Sequence, residues 1–147
     1  MSLQVQPEVA HALLTGASVV ALESTIICHG FPRPDNAAVG IELQRAVRQA
    51  GAVPATIAII DGVVRVGLSD DEVAQLAARE SVLKCTTREV PVLCARGGDG
   101  ATTVAATAAL AAGVGIEVFA TGAIGGVHRG GQDSMDVSAD LQALSQY

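Results

Sequence analysis

The residues from Thr121 to Asp140, Thr-Gly-Ala-Ile-Gly-Gly-Val-His-Arg-Gly-Gly-Gln-Asp-Ser-Met-Asp-Val-Ser-Ala-Asp, concentrate groups able to do chemistry. Five of the ten residues from Gly122 to Gly131 are glycine, and His128 and Arg129 lie among them. Aspartates follow at 133, 136 and 140. Glycine lets backbone N–H groups come close to an anion or a metal-bound water, and aspartate carboxylates bind hard cations. The run Val118-Phe-Ala120 feeds into this segment as a strand would, so it reads as the floor of a polar site at the end of a sheet. It reads equally as a glycine-rich connection leading into a solvated acidic helix start. Asp136 and Asp140 are four residues apart. They share one side of a first helical turn if Asp136 or Ser138 begins a helix, although capping alone would account for either.

Three further places carry reactive groups. Glu23 directly follows the apolar run Val19-Val-Ala-Leu22, and carboxylates at the carboxyl ends of strands are common acids in open α/β sheets. Desolvation there would raise its pKa toward the range of a general acid; the alternative is a solvated or capping glutamate. Lys84 is the only lysine among nine Lys and Arg residues. Beside Ser81-Val-Leu83 it is an anion clamp, an amine nucleophile or a surface lysine at a strand end. Gly97-Gly-Asp-Gly-Ala-Thr-Thr103 is a glycine loop opening a helix, where free N–H groups bind phosphate or where Thr102 or Thr103 simply caps. No Lys-Ser/Thr follows the glycines, so this is not a P-loop. His29 and His128 have no partner at metal-ligand spacing.

The elements that would position these groups alternate in type. Helices are predicted over Pro7–Leu14, Ala37–Ala50 and Ala101–Ala112, with Asp35 or Asn36 capping the second and Gly51 ending it. Ser69-Asp-Asp-Glu72 is a capping box opening a helix to about Arg79. Strands are predicted over Val19–Leu22, Ala55–Ile60, Ser81–Thr86 and Gly115–Ala120. Asp61-Gly62 is a two-residue hairpin signal with Val63–Val66 as the return strand. Pro91–Ala95 fits a short helix or a strand. The strands are continuously apolar rather than alternating, which predicts a single layered α/β/α domain over residues 1–147 with a largely parallel sheet plus one hairpin.

Composition narrows the function. Half of the 147 residues are hydrophobic, enough for a core. A net charge of −6, no basic run, and only two Phe and one Tyr argue against nucleic-acid binding. No apolar stretch reaches membrane-spanning length, and Gln4, Gln6, Pro7 and Glu8 do not make a signal peptide. The three cysteines, Cys28, Cys85 and Cys94, lack metal-ligand spacing and read as reduced, mostly buried thiols, as in a cytoplasmic protein.

Several blocks together resemble the pseudouridine-5′-phosphate glycosidase family. They are Ala21-Leu-Glu-Ser-Thr-Ile-Ile27 with His29-Gly30, Gly51-Ala-Val-Pro-Ala-Thr-Ile-Ala-Ile-Ile60, Gly100-Ala-Thr-Thr-Val104, Phe119-Ala-Thr-Gly-Ala-Ile-Gly-Gly-Val-His-Arg-Gly130 and Asp136-Val-Ser-Ala-Asp-Leu141. They run in order along nearly the whole chain. The resemblance implies cleavage of the C–C glycosidic bond of pseudouridine 5′-phosphate to uracil and ribose 5-phosphate. The leaving atom is a carbon, so the two-carboxylate chemistry of O-glycosidases does not suffice. The family is understood to open the ribose ring and form a lysine Schiff base that acts as electron sink. By resemblance, Glu23 is the proton donor and Lys84 a substrate-binding lysine for the phosphate. Val104, Ser138, Ala139 and Asp140 contact substrate, and Asp136 is the ligand of Mn²⁺, with waters completing a hard-ion shell. The resemblance also implies a cytoplasmic homo-oligomer, a trimer, with no membrane or nucleic-acid partner.

The departures bear on activity. The family's Schiff-base lysine lies beyond the Ser-Ala-Asp-Leu motif, so these residues correspond to the amino-terminal part of a longer, here incomplete, family fold. The polypeptide is expected to be inactive by itself. Glu89 stands where an aspartate is usual, and Cys85-Thr86 replaces a Val/Ser-like pair. Two rivals remain: a non-catalytic module that binds a phosphate sugar or metal, and an aldolase-like enzyme whose Schiff base forms on Lys84.

Overall fold

The structure, a computed structural model, describes residues 2–147. In chain order it forms β1 (Ser2–Val5), α1 (Pro7–Thr15), β2 (Val19–Leu22), a π-type turn (Ile26–Gly30), α2 (Asp35–Gln49), β3 (Val53–Ile60), β4 (Val63–Val66) and α3 (Asp70–Ala78). There follow β5 (Leu83–Cys85), α4 (Val90–Arg96), β6 (Gly100–Thr102), α5 (Val104–Gly113), β7 (Val118–Ala120), α6 (Gly131–Ser134) and α7 (Ala139–Gln146).

Local chemistry sets most boundaries. Ser69 accepts from the Glu72 N–H while the Glu72 carboxylate accepts from the Ser69 N–H, the reciprocal box the sequence predicts. Thr103 caps α5 and Ser138 caps α7 through their hydroxyls. The β3–β4 turn needs left-handed backbone at both central residues, and Asp61 (φ 51°) and Gly62 (φ 74°) supply it. A Cβ at Gly62 would stand 2.8 Å from the Cys94 carbonyl oxygen and from Gly97 Cα, so the turn is also a packing contact.

The strands make a seven-stranded sheet containing the path β1-β4-β3-β2-β7, with β6 on β3 and β5 on β6. The β1–β4, β2–β3, β2–β7 and β5–β6 pairs are parallel, while β3 runs antiparallel to β4 and to β6. Side chains of β3 alternate between two cores. Ala55, Ile57 and Ile59 join Val9 and Ala12 of α1, Leu93 of α4 and Ala106, Leu110 and Ala111 of α5. Ala58 and Ile60 join Val73, Leu76 and Ala77 of α3, with Ala37 and Ile41 of α2. Helices therefore cover both faces, as the α/β/α expectation requires. Between α2 and the sheet, buried Thr56 Oγ1 donates to Gln44 Oε1 at 2.8 Å and Gln44 Nε2 donates to Asp70 Oδ1 at 2.7 Å.

Several expected boundaries move. The helix expected from Ala101 begins at Val104, because Gly100–Thr102 instead extends between β3 and β5. The strand expected over Ser81–Thr86 shortens to Leu83–Cys85, the length that β6 can pair. Pro34, not Asp35 or Asn36, precedes α2; Asn36 is buried and its Nδ2 donates to the Ile27 and Ala77 carbonyls at 3.0 and 3.1 Å. The segment that fits helix or strand is the helix α4. β1 went unpredicted, because four polar-apolar residues carry little pattern until β4 pairs them. Of the three thiols, Cys85 is buried and the other two are half-buried. Among the described residues no helix is long and apolar enough to cross a membrane.

Candidate active site

The site forms at a gap in the sheet. β2 pairs with Val53–Thr56 of β3, and β6 pairs in the opposite direction with Ala58 and Ile59. Both strands therefore run toward Ile57 and stop there. Thr102 Oγ1 donates to the Ile57 carbonyl at 2.6 Å, and the Thr102 N–H donates to Ser24 Oγ at 2.8 Å. Thr107 Oγ1 donates to Thr102 Oγ1 at 2.9 Å, completing a fully buried hydroxyl network. β7 ends beside β2, and β5 ends beside β6. Four strand carboxyl ends thus converge, the place where open α/β sheets bind ligands.

Glu23 leaves β2 at this gap. Its Oε1 accepts from Thr121 Oγ1 at 2.5 Å and its Oε2 accepts from Thr25 Oγ1. One hydroxyl comes from the start of the π-type turn and the other from the end of β7, so both carboxylate oxygens are held. Lys84 lies on β5, opposite Ala101 of β6. Among the described residues it takes part in no salt bridge.

The glycine-rich segment closes over the gap. Val127 pairs with Val137 in a short antiparallel bridge, and the Ser138 N–H donates to the Gly126 carbonyl at 2.9 Å. This fold-back brings His128 Nδ1 to 2.9 Å from Asp136 Oδ2, both side chains more than half exposed. Asp140 joins three elements. Its Oδ1 accepts from the Ala105 N–H at 3.0 Å, near the start of α5, and its Oδ2 accepts from the Gly125 N–H at 2.9 Å. A Cβ at Gly125 would fall 2.3 Å from Ser138 Oγ, so only glycine lets the loop reach Asp140.

One cavity of about 910 Å³ results. Glu23, Lys84, Val104, Asp136, Ser138, Ala139 and Asp140 all line it, so every residue singled out for the site is brought together. Thr86, Thr87, Arg88 and His128 line it too. Its charges are divided, with Lys84 and Arg88 cationic and Glu23, Asp136 and Asp140 anionic. Arg88 Nε lies 3.0 Å from Glu89 Oε1. Hydrogen bonds from Thr86, with help from Arg88, hold the Glu89 carboxyl below the usual range.

Sequence reasoning missed Thr25, and it named Thr121 and His128 only within the glycine-rich floor, without their partners. Thr25 and Thr121 are 96 residues apart, and only their shared partner reveals them. His128 has no partner at metal-ligand spacing, yet the fold-back supplies Asp136. The Gly97-Gly-Asp-Gly100 loop, open as a phosphate cradle, serves elsewhere: the Gly98 carbonyl accepts from the Gly62 N–H, and Asp99 accepts from Asp61 N–H and Arg79. Only its end, Thr103 and Val104, reaches the cavity.

For a metal, the donors fit an open shell and not a closed cage. Among the described residues no group of three His, Cys, Asp or Glu is arranged to hold an ion. Asp136 offers one half-exposed carboxylate to the cavity, which suits a hard ion completed by water or ligand oxygens.

The chain is similar to several known proteins. The chain is 57% identical over 144 residues to a pseudouridine-5′-phosphate glycosidase of Hahella chejuensis, covering 97% of this chain and 48% of that one. It is 56% identical over 145 residues to the enzyme of that name from Escherichia coli, covering 97% and 46%. The chain thus spans about half the length of these curated relatives. Among solved structures, a prealnumycin C-glycosynthase in complex with ribulose 5-phosphate superposes with a TM-score of 0.84 at 45% identity, covering 97% of this chain and 46% of that one. An indigoidine synthase A-like protein from Thermotoga maritima gives 0.85 at 36% identity, covering 99% and 46%. The family model described as indigoidine synthase A like protein matches residues 8–147. The chain belongs to that family.

Proposed function

We propose that this chain supplies the sugar-phosphate half of a site that cleaves the C–C glycosidic bond of pseudouridine 5′-phosphate to uracil and ribose 5-phosphate. The carrying observation is the single cavity that gathers Glu23, Lys84, Val104, Asp136, Ser138, Ala139 and Asp140 from four separate stretches of the chain. The names of the relatives, and a relative that holds ribulose 5-phosphate, support a phosphorylated sugar as ligand.

In this reading Lys84 anchors the phosphate as an unpaired cation, and the start of α5 at Val104 faces the same anion. Ser138 and Ala139 present the α7 turn to the sugar. Asp140 holds that turn against α5 and the 125 loop, and each of its oxygens keeps a second lone pair for a substrate hydroxyl. Glu23, fixed by Thr25 and Thr121, moves the proton to the base carbon as the bond breaks. Asp136, with His128 orienting its carboxylate, would hold Mn²⁺, which when bound supplies charge stabilisation to substrate oxygens. The electron sink, a lysine Schiff base, belongs to a segment outside these 147 residues.

Titration of the chain with ribose 5-phosphate by calorimetry tests the reading. Lys84→Ala should weaken binding about tenfold to a hundredfold, the worth of a charge-assisted contact of about 1.5–3 kcal/mol. Borohydride trapping of ribose 5-phosphate on Lys84 would instead assign an aldolase-like role and overturn the glycosidase reading.

A further inference from the structure

The gap in the sheet is a contested place. Continued by one residue, the β2 register would set Glu23 opposite Ile57 of β3, and the β6 register would set Thr102 there. Two strands cannot occupy one slot, so neither ladder is completed at Ile57. A buried backbone carbonyl left without a partner is costly. The Thr102 hydroxyl supplies that partner, donating to the Ile57 carbonyl at 2.6 Å. We propose that Thr102, acting through Ser24, is a positioning residue for the reaction: it fixes the proton donor Glu23 relative to the start of α5, which faces the sugar phosphate. The inference rests on the glycosidase reading.

The protons of this link have one arrangement. A threonine hydroxyl carries one proton and two lone pairs. The Thr102 proton goes to Ile57, and Thr107 Oγ1 donates to Thr102 Oγ1 at 2.9 Å. Ser24 Oγ lies 3.3 Å from Thr102 Oγ1, so Ser24 is the donor of that contact. Ser24 Oγ accepts in turn from the Thr102 N–H at 2.8 Å, and the Ser24 N–H donates to the Thr102 carbonyl at 3.4 Å. Both residues are fully buried, so the link is shielded from water. Each end of it leads to the site. Ser24 follows Glu23, and its carbonyl accepts from the Ile27 and Cys28 N–H groups of the turn that begins beside Thr25, a holder of the Glu23 carboxylate. Thr102 precedes Thr103, which caps α5 and lines the cavity with Val104. Thr102 is not among the described residues that line the cavity, so it acts through these neighbours.

Hydroxyl and bulk can be separated by substitution. Thr102→Val keeps the shape and removes the hydroxyl, whereas Thr102→Ser keeps the hydroxyl and removes a methyl group. Thr56→Val is the control, because Thr56 donates from a buried hydroxyl to Gln44, away from the gap. All three variants should unfold at lower urea than the wild type. Ribose 5-phosphate affinity, measured by calorimetry on the 147-residue chain, should fall roughly tenfold in Thr102→Val through misplacement of the site. It should stay at the wild-type level in Thr102→Ser and Thr56→Val. Crystal structures should show Glu23 parted from Thr121, or Val104 displaced, in Thr102→Val and in neither of the other two. Affinity that follows the urea midpoint across the three, or a Thr102→Val structure with Glu23 and Val104 both in place, makes Thr102 a structural residue only and overturns the proposal. Should Thr102→Val fail to fold, Ser24→Ala cuts the same link from the β2 side and decides by the same criteria. A wild-type chain that does not bind ribose 5-phosphate counts against the glycosidase reading itself, and the variant structures still decide the positioning.

Discussion

Asp136 and Gly125 show two ways in which one residue matters to the site. Asp136 is more than half exposed, and among the described residues its carboxylate meets the His128 ring. In the proposed reading Asp136 is the ion's one carboxylate ligand; a hard ion held in that way gains little of its coordination energy from the protein, so removing the carboxylate removes binding. Asp136→Ala should abolish Mn²⁺ binding measured by water-proton relaxation, with little effect on unfolding by urea; unchanged relaxation enhancement would reject Asp136 as the ligand. Gly125 acts through space. The 2.3 Å approach of a Cβ to Ser138 Oγ means that Gly125→Ala must push the loop off Asp140. Overpacking of this kind costs about 1–3 kcal/mol. A urea midpoint equal to that of the wild type would show that the loop yields freely.

At the level of elements, the β3–β4 hairpin is tied to the rest by charge. Arg79, past the end of α3, lies 2.9 Å from Asp61 in the turn and 2.5 Å from Asp99 in the loop before β6. Hydrogen bonds and charge from Arg79 hold the Asp61 carboxyl below its ordinary 3.8, and those from Thr86 and Arg88 hold Glu89, at the start of α4, below its ordinary 4.5. A carboxyl depressed in the folded state stabilises the fold above its unfolded pKa and loses that contribution as pH falls through its folded pKa. The thermal midpoint should therefore fall between about pH 5 and pH 3, and the double variant Asp61→Asn, Glu89→Gln should show a shallower fall. An identical pH profile for the two proteins would place the acid-sensitive groups elsewhere. The hairpin clamp also sets where β6 begins, and β6 delivers Thr103 and Val104 to the cavity, so a charge pair at one end of a strand registers residues at the other.

For the whole molecule, the proposed reading turns on a Schiff-base lysine that these elements do not contain. The only lysine is Lys84, and residues 142–147, Gln-Ala-Leu-Ser-Gln-Tyr, offer no other amine side chain. Positioning and electrostatics leave residual rates when some nucleophiles are lost. They do not replace a covalent electron sink when the leaving group is carbon. The 147-residue polypeptide should release no uracil from pseudouridine 5′-phosphate, and adding the carboxy-terminal half of a full-length relative, fused or in trans, should restore release. Uracil release by the mass-verified polypeptide, lost in Glu23→Gln, would show that the chemistry needs no further lysine.

Element type was largely written in the sequence, because capping, hairpin and periodicity signals are local. The Ser69–Glu72 box, the Asp61-Gly62 turn and the strand Val19–Leu22 are where short-range chemistry puts them. The residues that line the cavity were singled out for a different reason: long blocks resembling a family name their positions without any geometry. Pairings across the chain were not legible. That β2 and β6 meet head-on at Ile57, that Gly100–Thr102 is strand rather than helix, and that Glu23 is gripped by Thr25 and Thr121 all depend on partners far away in sequence. The glycine loop at 97–100 shows the same limit from the other side: its composition suits a phosphate, yet packing against the hairpin claims its backbone first. Short strands and buried hydroxyls take their identity from what they pair with, and only the folded chain supplies the pair.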